Sequence, residues 1–269
     1  MIELFETDRY ENNRHSSKGN QLKWRANGIW YKADNLGYEG LSETVVSKLL
    51  AESDLKRGEY VTYETEQIRY KNRIYNGVKS RDFINGRGEL ITLERLFKLR
   101  YGRSLYESVF GITDVKERLR FLTGFAVEMT GLKDFGFYIS RLLTIDALFL
   151  NDDRHMHNIA VIKRNDRIFD YCPVFDNGAA LLSDTSMDYP MDGDVYALIA
   201  EAGSKTVSYD FDEQLDAAEE LYGCNIKFCF DDRAITDAVR DTSYYPKNVC
   251  DRVIQVLRAQ RRKYSYLFK

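Results

Sequence analysis

Hydrophobic and polar residues alternate with two different periods along this chain, and the change of period divides it into two parts. In the first part the period is two, which is typical of half-buried strands. It predicts two hairpins, over residues 21–25 with 29–33 and 59–70 with 73–84. The dipeptide Asn27-Gly28 falls between the first two segments, and it favours a tight hairpin turn.

One helix is predicted early in the chain, between the two hairpins, and helical periodicity then dominates the second part. That early helix is predicted at residues 42–52, with Ser42 as its N-cap and Glu43 at the edge of its apolar face. A short strand pair, 159–163 and 167–171, and an irregular acidic stretch from Gly178 to about residue 212 interrupt the later helices. Those helices are predicted at residues 92–100, 114–130, 135–150, 212–222, 231–240 and 246–264.

This order of elements predicts an α+β fold with two lobes. A small β-rich N-lobe is expected over residues 1–84 and a larger, mainly helical C-lobe over residues 85–269. The glycine-rich segment 85–88 lies where the pattern changes. A cleft between two lobes is a common site for a small cofactor.

Composition and charge narrow the function classes. The chain has 269 residues and a formal net charge of −3, so no basic field indicates direct binding to nucleic acid. No apolar run reaches the roughly 18 residues of a membrane span, and the acidic N-terminus lacks the apolar region of a secretory signal. The four cysteines form no Cys-x-x-Cys pair, which favours reduced thiols and a cytoplasmic location.

Two short acidic motifs carry the candidate chemistry. The first follows an apolar helix and places Asp153 five residues before Asn158. The second contains Asp176, and the strand pair between the motifs would fold the chain back and bring Asp176 beside Asn158. Transfer of a phosphoryl group from Mg-ATP needs such a set, with one carboxylate at the incoming hydroxyl and an amide and a second carboxylate on the metal. An exposed hydrophilic turn is the alternative interpretation of the first motif.

The first motif also contains two of the three histidines of the chain. His155 and His157 together with Asp153 would be compatible with zinc. No further histidine or cysteine has a supporting spacing, so we favour a packed imidazole that orients the loop at His155 and a solvent-facing one at His157.

A second group of candidates lies near the N-terminus. Residues 16–23 form a turn of small residues around Gly19, which could present backbone amides to phosphates. Lys32 ends an alternating strand, and an inward-facing lysine would need an anionic partner such as ATP phosphates or Glu43. An ordinary turn and a surface lysine are the alternatives.

Four segments together resemble the HipA-like serine/threonine kinases, a family distantly similar to the phosphatidylinositol 3/4-kinases. They are the phosphate loop Ser-x-x-Gly-x-Gln-x-Lys at 16–23, the lysine strand at 30–32, the Asn-x-Asp-x-His-x-x-Asn loop at 151–158 and Phe-Asp-Asn-Gly at 175–178. The resemblance covers nearly the whole chain from Ser16 onward. Leu22 stands where the family often has a proline.

The resemblance implies a role for each matching residue. ATP would be bound by the residues of the phosphate loop, the lysine strand and its partner, and an adenine hinge at 80–84, namely Ser16, Ser17, Gly19, Gln21, Lys32, Glu43, Ser80, Asp82 and Phe83. Asp153 would accept the hydroxyl proton, with His155 and Lys32 also in the catalytic set. Asn158 and Asp176 would hold Mg²⁺.

The resemblance also implies partners and regulation. The substrate would be a protein serine or threonine, and phosphorylation of Ser16 or Ser17 by the enzyme itself would place negative charge where the triphosphate binds. Such kinases include toxins that pair with an antitoxin protein. The chain begins almost at the phosphate loop, so it resembles core-only members, and both the antitoxin partnership and the oligomeric state stay open.

Two other functions share parts of this pattern. A lipid kinase of the phosphatidylinositol type has the same Asp-Arg-His-x-x-Asn spacing, but its activation segment should be basic, whereas residues 184–194 are acidic. A catalytically inactive nucleotide-binding module is the second alternative. A pure interaction protein would have no reason to carry the complete polar set.

Overall fold

Five strands form the first sheet, all from residues that precede residue 82. The computed structural model describes residues 1–10, 21–84, 86, 88–165, 167–242 and 244–269. The order of the strands is β1-β4-β5-β3-β2, with β1 parallel to β4 and the other pairs antiparallel. The strands are β1 (Ile2–Glu3), β2 (Lys23–Ala26), β3 (Ile29–Ala33), β4 (Tyr63–Tyr70) and β5 (Arg73–Arg81).

Both predicted hairpins are confirmed. Asn27 and Gly28 join β2 to β3 with φ angles of 51° and 74°, the positive values that a two-residue hairpin turn requires. Lys71 and Asn72 join β4 to β5 in the same way, with φ angles of 47° and 61°. The second hairpin is shorter than predicted, since the register ends with Tyr63 opposite Ser80.

Helix α1 (Glu39–Leu50) packs against β4 and β5. Glycine allows this close approach, because a Cβ on Gly40 would lie 2.7 Å from the backbone carbon of Gly77. The helix begins three residues before the prediction, and Ser42 as its N-cap is wrong. Tyr38 occupies the N-cap position, and Ser42 lies inside the first turns, where it is fully buried.

The second sheet contains three antiparallel strands in the order β6-β7-β8. The prediction found β7 (Ala160–Lys163) and β8 (Phe169–Tyr171) but missed β6 (Glu89–Thr92), whose four residues are too few for a clear alternation. The sequence also predicts a turn at Asn165-Asp166 between β7 and β8, and residue 166 lies outside the described residues.

The later helices agree with the prediction to within two residues at each end, with two additions. Helices α3 and α6 were not predicted, because six or seven residues show less than two turns of periodicity. The helices are α2 (Leu93–Tyr101), α3 (Leu105–Phe110), α4 (Val115–Thr130), α5 (Phe135–Phe149), α6 (Val195–Glu201), α7 (Phe211–Tyr222), α8 (Asp232–Arg240) and α9 (Lys247–Lys263).

The chain divides into two compact units. Unit 1 contains Met1–Phe83, Phe175–Glu201 and Phe228–Lys269, and in it α1 packs on α8 and α8 on α9. Unit 2 contains Ile84–Val174 and Ala202–Lys227, and its helix α5 packs on α4 and α7.

No helix in the described part of the chain is long and apolar enough to cross a membrane.

Candidate active site

One lysine in unit 1 is bound by two carboxylates from remote parts of the sequence. Lys32 Nζ lies 2.6 Å from Glu43 Oε1 and 2.7 Å from Asp176 Oδ1. Strand β3 supplies Lys32, helix α1 supplies Glu43, and Asp176 belongs to the segment that follows β8. The Glu43 side chain is only 2 % exposed, whereas that of Asp176 is 26 % exposed. We call these three residues the lysine triad.

Within the lysine triad, burial and the neighbouring charges have opposite effects on the pKa values of Lys32 and Glu43. Burial alone would lower the pKa of Lys32, but the charges of Asp176 and Glu43 hold it well above its usual value. Burial raises the pKa of Glu43 to about 6 against the opposing effect of Lys32. Glu43 Oε2 is buried and accepts no hydrogen bond from any residue that the structure describes. The triad therefore holds a permanent cation beside acceptor oxygens.

The segment that carries Asp176 is fixed against α1. The Ser42 hydroxyl lies 2.9 Å from the carbonyl oxygens of both Asn177 and Ala180, and the Tyr38 hydroxyl donates to the carbonyl of Leu181 at 2.8 Å. Asp176 itself has a φ angle of 57°, a left-handed conformation that aspartate tolerates better than most residues. Helix α1 thus positions both Glu43 and the backbone that follows Asp176.

The Asn-x-Asp-x-His-x-x-Asn loop lies in unit 2 and forms a tight turn. The Asn158 side-chain nitrogen donates to the carbonyl of Asp153 at 2.9 Å, so the amide oxygen of Asn158 is the end that remains to ligate a cation. The Asp153 carboxylate is mostly buried, and its Oδ2 lies 3.8 Å from His155 Nε2. His155 Nδ1 accepts the amide hydrogen of His157 at 3.2 Å, so Nε2 is the ring nitrogen that faces Asp153.

A buried ion pair that no sequence motif predicts lies beneath this loop. Arg154 Nε lies 3.0 Å from Asp146 Oδ2, and both side chains are 1 % exposed. The amide of Asn151 donates to Asp146 Oδ1 at 3.0 Å. Burial raises the pKa of Asp146, and Arg154 opposes that effect. A carboxylate within the apolar helix α5 was the one available signal that Asp146 has a partner.

The other predicted ATP-binding residues are only partly described. Ser16, Ser17 and Gly19 lie outside the described residues, and Gln21 is half-buried shortly before β2. Of the predicted hinge, Ser80 lies in β5 opposite Trp30 and Tyr63.

The predicted hinge residues Asp82 and Phe83 make contacts within unit 1. Asp82 Oδ2 forms an ion pair with Arg25 at 2.5 Å. The ring of Phe83 packs against that of Phe175, with 5.8 Å between their centroids.

No group of three or more histidine, cysteine, aspartate or glutamate residues in the described part of the chain is arranged to hold a metal ion.

The mixed α/β architecture of this chain is similar to that of a solved structure. The chain is similar to the crystal structure of a Helicobacter pylori proinflammatory kinase, CtkA, with a TM-score of 0.65. The match covers 97 % of this chain and 95 % of that one, at 17 % sequence identity. No protein-family model and no curated protein matches the chain. At this identity the likeness establishes the fold alone.

Proposed function

We propose that this protein is an ATP-dependent kinase that phosphorylates serine or threonine in a protein substrate. The lysine triad is the observation that carries the proposal. In protein kinases a strand lysine neutralises the ATP phosphates and pairs with a helix glutamate, and an aspartate binds the metal. Lys32, Glu43 and Asp176 have these chemical types and lie on a strand, a helix and a loop, and both carboxylates contact the lysine. The kinase-like fold supports the same function.

In this proposal Lys32 binds the phosphates of ATP with a charge that its neighbours keep permanent. Asn158 and Asp176 would hold Mg²⁺, because an amide oxygen and a carboxylate are the hard oxygen ligands that this ion takes. When bound, Mg²⁺ neutralises charge on the transferred group.

Asp153 is proposed to accept the proton of the substrate hydroxyl. The hydroxyl oxygen forms a bond to the γ-phosphorus, the bond from that phosphorus to the bridging oxygen breaks, and ADP leaves. The hydroxyl proton passes to the Asp153 carboxylate, so charge and atoms balance. The tight turn that fixes the Asp153 carbonyl and the Asn158 amide supports a rigid acceptor.

The experiment compares Asp153→Ala and Asp176→Ala with wild type, both for Mg-ATP binding by calorimetry and for transfer of radiolabelled phosphate. Asp153→Ala is expected to bind Mg-ATP normally and to transfer at least 100-fold more slowly, because only the proton acceptor is lost. Asp176→Ala is expected to weaken Mg-ATP binding itself. Asp216→Ala, which changes an exposed aspartate of α7, is the matched control. Wild-type activity in both active-site variants would contradict the proposal.

The motif resemblance supports three finer proposals, a HipA-like type, autophosphorylation of Ser16 or Ser17, and a toxin role with an antitoxin partner. Mass spectrometry after incubation with Mg-ATP should find phosphate on Ser16 or Ser17, and its absence under active conditions would contradict autophosphorylation. Expression of wild type should arrest growth and expression of Asp153→Ala should not. Equal growth of the two strains would contradict the toxin role.

A further inference from the structure

A lysine outside every predicted motif lies beside the proposed proton acceptor. Lys205 Nζ is 3.5 Å from Asp153 Oδ1, although Lys205 lies 52 residues after Asp153 in sequence. Asp153 Oδ1 is buried and accepts no hydrogen bond from the described part of the chain. Lys205 therefore provides the positive charge for an oxygen that otherwise lacks a partner there.

The segment around Lys205 is anchored to the loop that carries Asp153. The Thr206 hydroxyl donates to the carbonyl of Arg154 at 2.5 Å, directly next to Asp153 in sequence. Because Thr206 is fully buried, this hydrogen bond fixes the preceding residue relative to the loop. The ammonium of Lys205 remains partly solvated, with 39 % of its side chain exposed.

Hydrogen bonds on both sides of Lys205 hold the same segment. The Ser204 hydroxyl donates to Gln214 Oε1 at 2.7 Å, and Arg118 Nη1 donates to the carbonyl of Val207 at 2.8 Å. Ser204, Val207 and Gln214 are buried. A surface lysine needs no such support, whereas a lysine that must keep one distance from a carboxylate does.

We propose that Lys205 is a positioning residue for Asp153, a role that rests on the kinase function proposed above. Lys205 holds Oδ1, so that Oδ2 faces the substrate hydroxyl and receives its proton. The positive charge also offsets the repulsion between the Asp153 carboxylate and the incoming phosphates. Sequence gave no signal for this role, because Lys205 lies in a stretch predicted to be irregular.

The test measures steady-state phosphotransfer by the full chain with Lys205→Ala, Lys205→Arg and Lys98→Ala. Lys98 is an exposed lysine of α2 that makes no ion pair with any described residue, and its variant should match wild type. Lys205→Ala should lower kcat at least 10-fold and leave both KM for ATP and the calorimetric Kd for Mg-ATP within twofold of wild type. Lys205→Arg should recover part of kcat.

Chemical rescue separates a positioning cation from a merely structural side chain. Methylammonium should raise kcat of Lys205→Ala in a saturable way and should not affect Lys98→Ala, whereas a structural role would give no rescue. If Lys205→Ala folds poorly, Lys205→Met takes its place, because it keeps the aliphatic stem and should show the same loss of kcat.

The outcomes distinguish this inference from the proposed function. An active wild type with Lys205→Ala within twofold of its kcat would overturn the role of Lys205 and leave the kinase function standing. A fall in ATP affinity without a fall in kcat would also overturn it. A wild type that transfers no phosphate would overturn both.

Discussion

Replacing Lys32 by methionine tests how much the lysine triad depends on its cation. Methionine has nearly the length of lysine and no charge, so it leaves two carboxylates facing each other. Both Glu43 Oε1 and Asp176 Oδ1 now contact the same nitrogen, at 2.6 and 2.7 Å. The Lys32→Met variant keeps both carboxylates and removes the positive charge that neutralises them.

The expected loss follows from these distances. Two oxygens at 2.6 and 2.7 Å from one tetrahedral ammonium nitrogen are about 4 Å apart, and like charges at that separation repel by roughly 4 kcal/mol at an effective dielectric constant of about 20. Removing one partner from a buried charge cluster typically costs about 3–5 kcal/mol. We expect Lys32→Met to lower the free energy of unfolding by about 4 kcal/mol at pH 8.

The loss of stability in Lys32→Met should become smaller as the pH falls. Without Lys32 one carboxylate takes up a proton more readily in the folded protein than in the unfolded one, so stability is gained below its folded pKa and lost as pH rises through it. Urea unfolding at pH 5 and pH 8 measures both values. The double variant Lys32→Met/Glu43→Gln, which removes one of the two like charges, should recover much of the stability at pH 8.

A matched control comes from the same unit. Lys48 forms an ion pair with Asp241, whose side chain is 79 % exposed, so Lys48→Met should cost about 1 kcal/mol or less. An equal and small effect of both methionine variants would refute the argument that the triad is a buried, mutually dependent set of charges.

Three further predictions concern other buried polar groups. Burial, and then Glu39, raises the pKa of Asp34 to about 7. The stability that protonation of Asp34 contributes should therefore be lost as pH rises from 3.8 to about 7. The urea midpoint of the wild type should fall between pH 5 and pH 8, and this fall should be smaller in Asp34→Asn. Asp146→Ala should destabilise the fold by about 3–5 kcal/mol in chemical denaturation, because Arg154 loses its buried carboxylate, and a loss below 1 kcal/mol would contradict this. Ser42→Ala should cost about 1–3 kcal/mol in thermal unfolding and weaken Mg-ATP binding, and unchanged values would contradict its role in fixing the segment after Asp176.

Local patterns predicted the elements of this fold well. Asn27-Gly28 identified the first hairpin because the turn needs positive φ angles at both residues. The start of α1 was missed for a tertiary reason. Ser42 resembles an N-cap in sequence, yet its hydroxyl contacts carbonyls that lie 135 and 138 residues away.

The candidate site was predictable only where a motif, or the order of the family's segments along the chain, indicated it. The resemblance to kinases indicated Lys32 and Glu43 as partners, and the structure brings them together with Asp176. The Asp146–Arg154 pair and the approach of Lys205 to Asp153 depend on how remote segments pack, and neither has a local pattern.

Calorimetric titration of ATP into wild type and Lys32→Met, each with saturating Mg²⁺, tests whether the lysine triad binds the phosphates of ATP. We expect one ATP bound per wild-type chain and at least a 10-fold weaker affinity in Lys32→Met, a difference of about 1.4 kcal/mol or more. A wild type that binds no ATP, or equal affinity in the two proteins, would contradict this expectation.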